Sequence, residues 1–101
     1  MSEDKRALSW KQFVESDFDG RDYAFSDFEG TFSATIACKR WDKHQNILVY
    51  LDFDDGQKIL ASAWQNANYL GLGEMPVGTR VEVVFKNSTK GIPYLRAVER
   101  L

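Results

Sequence analysis

Aromatic and cationic side chains are interleaved along the middle of this chain. The aromatic residues available to stack on a planar ligand are Trp41, Tyr50 and Trp64. The cations that accompany them are Lys39, Arg40, Lys43, Lys58 and Lys90. Rings that stack on bases, set among cations that follow phosphates, are what single-strand nucleic-acid binding requires. The pattern therefore predicts contacts to single-stranded nucleic acid, either DNA or RNA, and does not distinguish between the two.

The same side chains have a second interpretation, in which they pack against another part of the chain or a partner protein. Residues 1–28 are acidic and aromatic, and Trp10, Phe13 and Phe18 need an apolar surface on which to dock. The surface that carries Tyr50 and Trp64 is a candidate. Under this alternative it is a structural or protein-binding face, with self-association as one form. A third idea joins the two, because the acidic, aromatic residues 17–29 could imitate a nucleic-acid strand and occupy that face.

Few side chains have catalytic or metal-binding potential. His44 is the only histidine and has no candidate serine or cysteine partner near it in sequence. Asp52, Asp54 and Asp55 surround a turn, where aspartate is favoured for conformational reasons, and the other ligands of a calcium loop are missing. Cys38 is expected on the core face as a small hydrophobic residue. We therefore expect no enzyme activity, no metal site and no small-molecule cofactor.

The composition fits one domain outside the membrane. The chain has 101 residues and a formal charge of −2, enough length for a core of its own. The first 29 residues hold eight Asp/Glu against four Lys/Arg, whereas the remainder holds nine Lys/Arg against seven Asp/Glu. The single cysteine excludes an internal disulfide and fits a reducing compartment. Because there is neither a secretory leader nor an apolar run of about 20 residues, a cytoplasmic protein is expected.

Local patterns predict the elements that must position these residues. Ser9 and Gln12 form a capping-box pair, which predicts a short helix over residues 8–15. From Gly30 onward apolar and polar residues alternate, which predicts a first strand. Four further strands are predicted over residues 47–53, 57–64, 80–85 and 92–99, with an irregular connector over 65–74.

The turn at residues 54–56 decides which side chains share a face. A two-residue loop would mix polar residues into the apolar face. A three-residue loop with its glycine left-handed pairs Asp52 with Lys58 and separates the two faces. We therefore predict the three-residue loop, which leaves Tyr50 and Trp64 opposite the core.

The strand pattern as a whole resembles that of oligonucleotide/oligosaccharide-binding (OB-fold) domains. The resemblance rests on five strands, a short connector after the third, and the run Pro-Val-Gly-Thr-Arg-Val-Glu-Val-Val-Phe that opens the fourth. It covers residues 29–101 and implies an all-β, five-stranded OB-like barrel, preceded by the segment 1–28 with its short helix. A five-stranded barrel of the SH3-like type fits the same spacing. OB-folds bind ligands on the face of the second and third strands and on two loops, here 42–46 and 87–91. The resemblance therefore implies a non-catalytic binding module.

Overall fold

The structure, a computed structural model, describes residues 7–41, 47–62 and 75–101 and is predominantly β. Within those residues one short helix, α1 (Trp10–Glu15), precedes six strands. The strands are β1 (Ala24–Phe25), β2 (Gly30–Trp41), β3 (Ile47–Phe53), β4 (Lys58–Ser62), β5 (Arg80–Asn87) and β6 (Pro93–Arg100). The predicted all-β class is therefore confirmed.

The strands form a single sheet in the order β1-β4-β3-β2-β5-β6. Neighbouring strands are antiparallel except β1 and β4, which are parallel. The two-residue strand β1 is additional to the five predicted strands, because Ala24 and Phe25 are too few to show a periodic pattern. Within the described residues no ladder joins the two ends of the sheet, so the sheet is open. Its ends nevertheless curl toward each other, since residues of β1, β4 and β6 line one cleft of about 180 Å³.

The β3–β4 hairpin has the predicted register. Asp52 pairs with Lys58 across the loop of residues 54–56. The Phe53 amide donates a hydrogen bond to the Gln57 carbonyl at 2.9 Å. The glycine of the loop has a φ of 96°, in the left-handed region that glycine adopts without steric cost. Both the pairing and the backbone conformation confirm the three-residue loop.

The core lies on one face of this sheet and extends into the N-terminal segment. Its buried members alternate along the strands and are Ala34, Ile36, Ile47, Val49, Leu51, Phe53, Ile59, Ala61, Val81, Val83, Phe85 and Leu95. Phe28 precedes β2 and packs against this core. Its ring makes edge contacts with Phe53 and Phe85 at centroid distances of 6.1 and 5.8 Å. Residues 1–28 therefore contribute a side chain to the core of the sheet.

A β-bulge in β2 changes which side chains face that core. The register with β3 shifts between Ile36 and Cys38, so that Cys38 lies opposite Tyr50 and Lys39 lies opposite Val49. Directly opposed residues share a face of the sheet, and a bulge moves the alternation by one residue. The prediction that Cys38 faces the core is therefore wrong. Cys38 is buried on the second face beside Tyr50, and Lys39 takes the inward position.

Helix α1 begins at the predicted capping box. The Ser9 hydroxyl accepts from the Gln12 amide at 3.2 Å, and the Gln12 side chain accepts from the Ser9 amide at 2.9 Å. Phe13 is partly buried, whereas Trp10 and Val14 are each 61% exposed. A helix of six residues is too short to be stable in isolation. Its position therefore depends on tertiary contacts, among them those of Phe13 with Tyr50.

Candidate functional site

Tyr50, the predicted stacking residue at the centre of the β3–β4 face, lies under the N-terminal segment. Its side chain is only 4% exposed. The rings of Phe13, Phe18 and Tyr23 surround it at centroid distances of 5.5, 5.0 and 5.2 Å. A Cβ atom added at Gly20 would come within 2.8 Å of the Tyr50 ring. The segment therefore covers this part of the face, and a base could reach Tyr50 only if the segment moved away.

Backbone and side-chain hydrogen bonds hold the segment on the sheet. The Leu8 amide donates to the Lys39 carbonyl at 2.9 Å, and the Trp41 amide donates to the Leu8 carbonyl at 2.8 Å. The Tyr23 hydroxyl donates to the Asp52 carboxylate. Lys58 adds an ammonium 5.0 Å from the centre of the Tyr23 ring. The segment is thus fastened at both ends of the covered region.

Three aromatic rings form a stack that runs outward from the sheet. Tyr50 and Phe13 are stacked with an interplanar angle of 17°, and Phe13 and Trp10 are stacked at 22° with centroids 5.8 Å apart. These values fit the offset stacking that aromatic pairs prefer. Exposure rises along the series, from the buried Tyr50 through the partly buried Phe13 to Trp10 at 61%. We call Tyr50, Phe13 and Trp10 the ring stack, and Trp10 is its outermost member.

Arg40 lies over two rings of the ring stack. Its guanidinium carbon lies 5.2 Å from the ring centres of both Trp10 and Phe13. Its Nε donates to the Tyr50 hydroxyl at 3.0 Å and its Nη1 donates weakly to the Trp41 carbonyl at 3.5 Å. Across the described part of the chain, no carboxylate lies within 4.0 Å of this guanidinium. Arg40 is therefore a partly exposed cation whose contacts are aromatic or neutral.

The ring stack and Arg40 line one open surface cleft of about 650 Å³, the Trp10 cleft. Its other lining residues are Val14, Phe18, Asp19, Gly20 and Arg21. Arg21 and Asp19 form an ion pair at 2.8 Å. The Arg21 guanidinium lowers the pKa of Asp19 to about 2. These two charges therefore offset each other, and Arg40 supplies the uncompensated charge of the cleft.

Two of the predicted binding residues on β2 lie away from this cleft. Lys39 is 1% exposed, and its ammonium donates to the Met75 carbonyl at 2.7 Å. Trp41 is 42% exposed and lies opposite Ile47, which belongs to the core face. The bulge explains both positions, because it shifts the alternation by one residue and so turns Lys39 and Trp41 from the outer face to the core face.

The remaining predicted residues are dispersed. Lys58 is half exposed, with its ammonium 3.8 Å from an Asp52 oxygen. Lys90 is exposed in the loop between β5 and β6. Lys43 and Trp64 lie outside the described residues. The structure thus brings Arg40, Tyr50 and Lys58 together around the aromatic residues of the segment and separates Lys39, Trp41 and Lys90 from them.

The aspartate and cysteine side chains with metal-binding or catalytic potential are held in interactions within the fold. Asp52 bonds to Tyr23, Asp54 pairs with Arg80 at 2.6 Å, and Asp55 accepts from Gln57. Burial raises the pKa of the Cys38 thiol, which disfavours the reactive thiolate.

The sequence pattern predicts for Trp10 only a docking role. The capping box places Trp10 and Phe13 three residues apart on a helix, where side chains are neighbours. The sequence did not indicate that Phe13 would dock on Tyr50 and leave Trp10 outside, because that depends on tertiary packing.

Comparison with known families, curated proteins and solved structures finds no match to this chain. Among the described residues, no helix combines the length and apolar character needed to cross a bilayer.

Proposed function

We propose that this protein is a non-catalytic binding module for single-stranded nucleic acid, built on an OB-like barrel that is partly open. An open sheet with its ends curled toward each other is compatible with that fold, because OB-folds are themselves partly open barrels. The proposed location is the cytoplasm, on the basis of the single cysteine. Residues 29–101 supply the barrel, and residues 1–28 are its N-terminal extension.

The observation that carries this proposal is the charge environment of Arg40. The side chain lies against aromatic rings at the surface and has no carboxylate partner in the described part of the chain. Arginine combines phosphate recognition with stacking on planar groups. An aromatic surface beside an uncompensated guanidinium suits a ligand that is both planar and anionic, as a nucleotide is.

The proposal is tested by titrating labelled oligonucleotides with the intact protein. Oligo-dT and oligo-U of about 16 nucleotides cover the site size of one OB-fold. Fluorescence anisotropy should show binding at low salt, and the logarithm of the association constant should fall linearly with the logarithm of salt concentration. Absence of binding to both oligonucleotides at about 100 µM protein in low salt, the weak end of non-specific affinity, would contradict the proposal.

A second candidate function is protein association through α1, including association with a second copy of the chain. Trp10 and Val14 are spaced one helical turn apart and are each 61% exposed. Residues four apart share one side of a helix, so they form a small apolar surface. Light scattering distinguishes this function from the first. A concentration-dependent increase in mass without nucleic acid, abolished by Val14→Asp, would favour association.

A further inference from the structure

We propose that the nucleobase-stacking residue of this protein is Trp10, and that the N-terminal segment forms part of the binding site rather than a cover over it. This inference rests on the proposed nucleic-acid function. It replaces Tyr50, the stacking residue that the strand pattern predicts, with a residue of the extension. The ligand is an unpaired base together with an adjacent phosphate.

The geometry of the ring stack supports this assignment. Tyr50 and Phe13 are buried or partly buried, so their rings are already occupied by neighbouring rings. Trp10 ends the series and is 61% exposed. Because Phe13 holds one side of it, the Trp10 ring is oriented before any ligand arrives. A base that stacks on Trp10 extends an existing stack, and few other side chains must become ordered when it binds.

Arg40 supplies the contact for the phosphate. Its Nε is fixed by the Tyr50 hydroxyl at 3.0 Å, and its Nη2 donates to no residue in the described ranges. The guanidinium lies 5.2 Å from the Trp10 ring centre. A base and its own phosphate could therefore contact Trp10 and Arg40 together. Arg21, the other guanidinium of the Trp10 cleft, is already paired with Asp19.

An acidic, aromatic peptide could also match the charge of the Trp10 cleft, and only the phosphate distinguishes a nucleic acid from such a peptide. The experiment therefore includes both ligands. A phosphodiester bears one charge per nucleotide, and its contribution shows in the salt dependence. An aromatic, acidic peptide such as a synthetic copy of residues 17–29 serves as competitor. If that peptide displaces labelled oligo-dT, while Trp10→Ala leaves oligonucleotide affinity unchanged, the assignment of the base to Trp10 is wrong.

The first test compares Trp10 with a matched aromatic residue. Phe25 is 63% exposed and belongs to the same segment, but it does not line the Trp10 cleft. Trp10→Ala is expected to weaken oligo-dT binding about 5- to 150-fold, the equivalent of one stacked base, whereas Phe25→Ala should leave it unchanged. Trp10→Phe should restore most of the affinity because any aromatic ring can stack. Thermal unfolding of each variant checks that the fold is retained.

The outcomes of this comparison separate two failures. If the wild-type protein binds no oligonucleotide, the proposed function fails and the inference fails with it. If the wild-type protein binds and Trp10→Ala binds equally well, the inference alone fails. Equal losses in Trp10→Ala and Phe25→Ala would also overturn it, because they would indicate a general effect of the segment.

The second test examines Arg40 and the alternative in which the segment is a lid. Arg40→Gln should reduce the magnitude of the salt slope by about 0.7, the value for one phosphate contact on a single strand, and Arg40→Lys should preserve the slope. Phe18→Ala removes one of the rings that hold the segment on Tyr50. A lid would then open and binding would strengthen, so stronger binding by Phe18→Ala overturns the proposal. Weaker or equal binding supports it.

Discussion

Lys39 is a charged residue buried in the interior, with only 1% of its surface exposed. Its ammonium donates to the Met75 carbonyl at 2.7 Å, which ties the end of β2 to the chain that leads into β5. Loss of a buried donor leaves its acceptor unsatisfied at a cost of about 1–3 kcal/mol. Lys39→Met should therefore lower the free energy of unfolding by that amount, measured by urea denaturation. The salt slope of oligonucleotide binding should not change, since a buried ammonium contacts no phosphate.

Lys90→Met is the control for this prediction. Lys90 is exposed in the β5–β6 loop, and substitutions at such positions usually change stability by less than about 0.5 kcal/mol. A Lys39→Met variant as stable as Lys90→Met would show that the buried hydrogen bond contributes nothing measurable.

The Tyr23–Asp52 hydrogen bond predicts how stability depends on alkaline pH. Burial, and secondarily the hydrogen bond to Asp52, raises the pKa of Tyr23 above its ordinary value. The unfolded chain therefore loses this proton first, near its ordinary pKa of about 10. The contribution of Tyr23 is fully present below that pH, and the free energy of unfolding should fall as pH rises above it.

Tyr23→Phe tests this dependence. At neutral pH the variant should lose about 1 kcal/mol, the net value of one hydrogen bond. Above pH of about 10 the wild-type protein should lose stability faster than the variant, so the difference between them should shrink. Urea denaturation across this range measures both quantities. A constant difference at all pH values would contradict the assigned ionisation, and Asp52→Asn should reduce the alkaline loss in part.

At the scale of elements, Gly20 determines how closely the N-terminal segment approaches the sheet. A Cβ atom there would lie 2.8 Å from the Tyr50 ring, which three other rings hold in place. Gly20→Ala should therefore push the segment outward at a cost of about 1–3 kcal/mol, as overpacking does. Hydrogen exchange should show faster exchange at the Leu8 and Trp41 amides, which bond across this junction.

Asp19→Ala is the matched control, since it alters the neighbouring residue without adding an atom near Tyr50. Asp19 is exposed and pairs with Arg21 at the surface, where ion pairs contribute about 0–1 kcal/mol. Exchange at the Leu8 and Trp41 amides should be close to that of the wild type. If Gly20→Ala behaves like Asp19→Ala, the close approach of the segment does not limit its position.

Elements formed by interactions between neighbouring residues could be predicted from the sequence, whereas features that depend on more distant contacts could not. The capping box at Ser9 and Gln12 and the three-residue loop of the β3–β4 hairpin depend on neighbouring residues, and both were predictable from the sequence. The bulge between Ile36 and Cys38 was not, because the alternating pattern of β2 continues through it unchanged. That single shift moved Lys39 to the core side of the sheet and Arg40 to the outer face, next to Tyr50.

At the scale of the whole molecule, the candidate site depends on tertiary packing that local patterns do not contain. The sequence indicated that Trp10, Phe13 and Phe18 need a surface and that Tyr50 belongs to one. It left open whether the two meet, because docking of the segment is decided by its contacts with both sheet faces. The structure shows that they meet. Tyr50 is therefore buried, and Trp10 is the exposed aromatic ring of the ring stack.

Phe28 connects the N-terminal segment to the core and should make the two unfold as one unit. Phe28→Ala removes a partly buried ring from contact with Phe53 and Phe85, at a cost of about 2–3 kcal/mol, somewhat less than for a fully buried phenylalanine. Phe25→Ala, which truncates a ring that is 63% exposed, should cost less than about 0.5 kcal/mol.

Hydrogen exchange measured separately at the Leu8 amide and at the amides of β3 reports the opening of the segment and of the sheet. If they form one cooperative unit, Phe28→Ala lowers both protections by the same free energy, because both sets of amides then open only in global unfolding. Loss of protection in β3 alone, with the Leu8 amide unaffected, would show instead that the segment opens independently of the sheet.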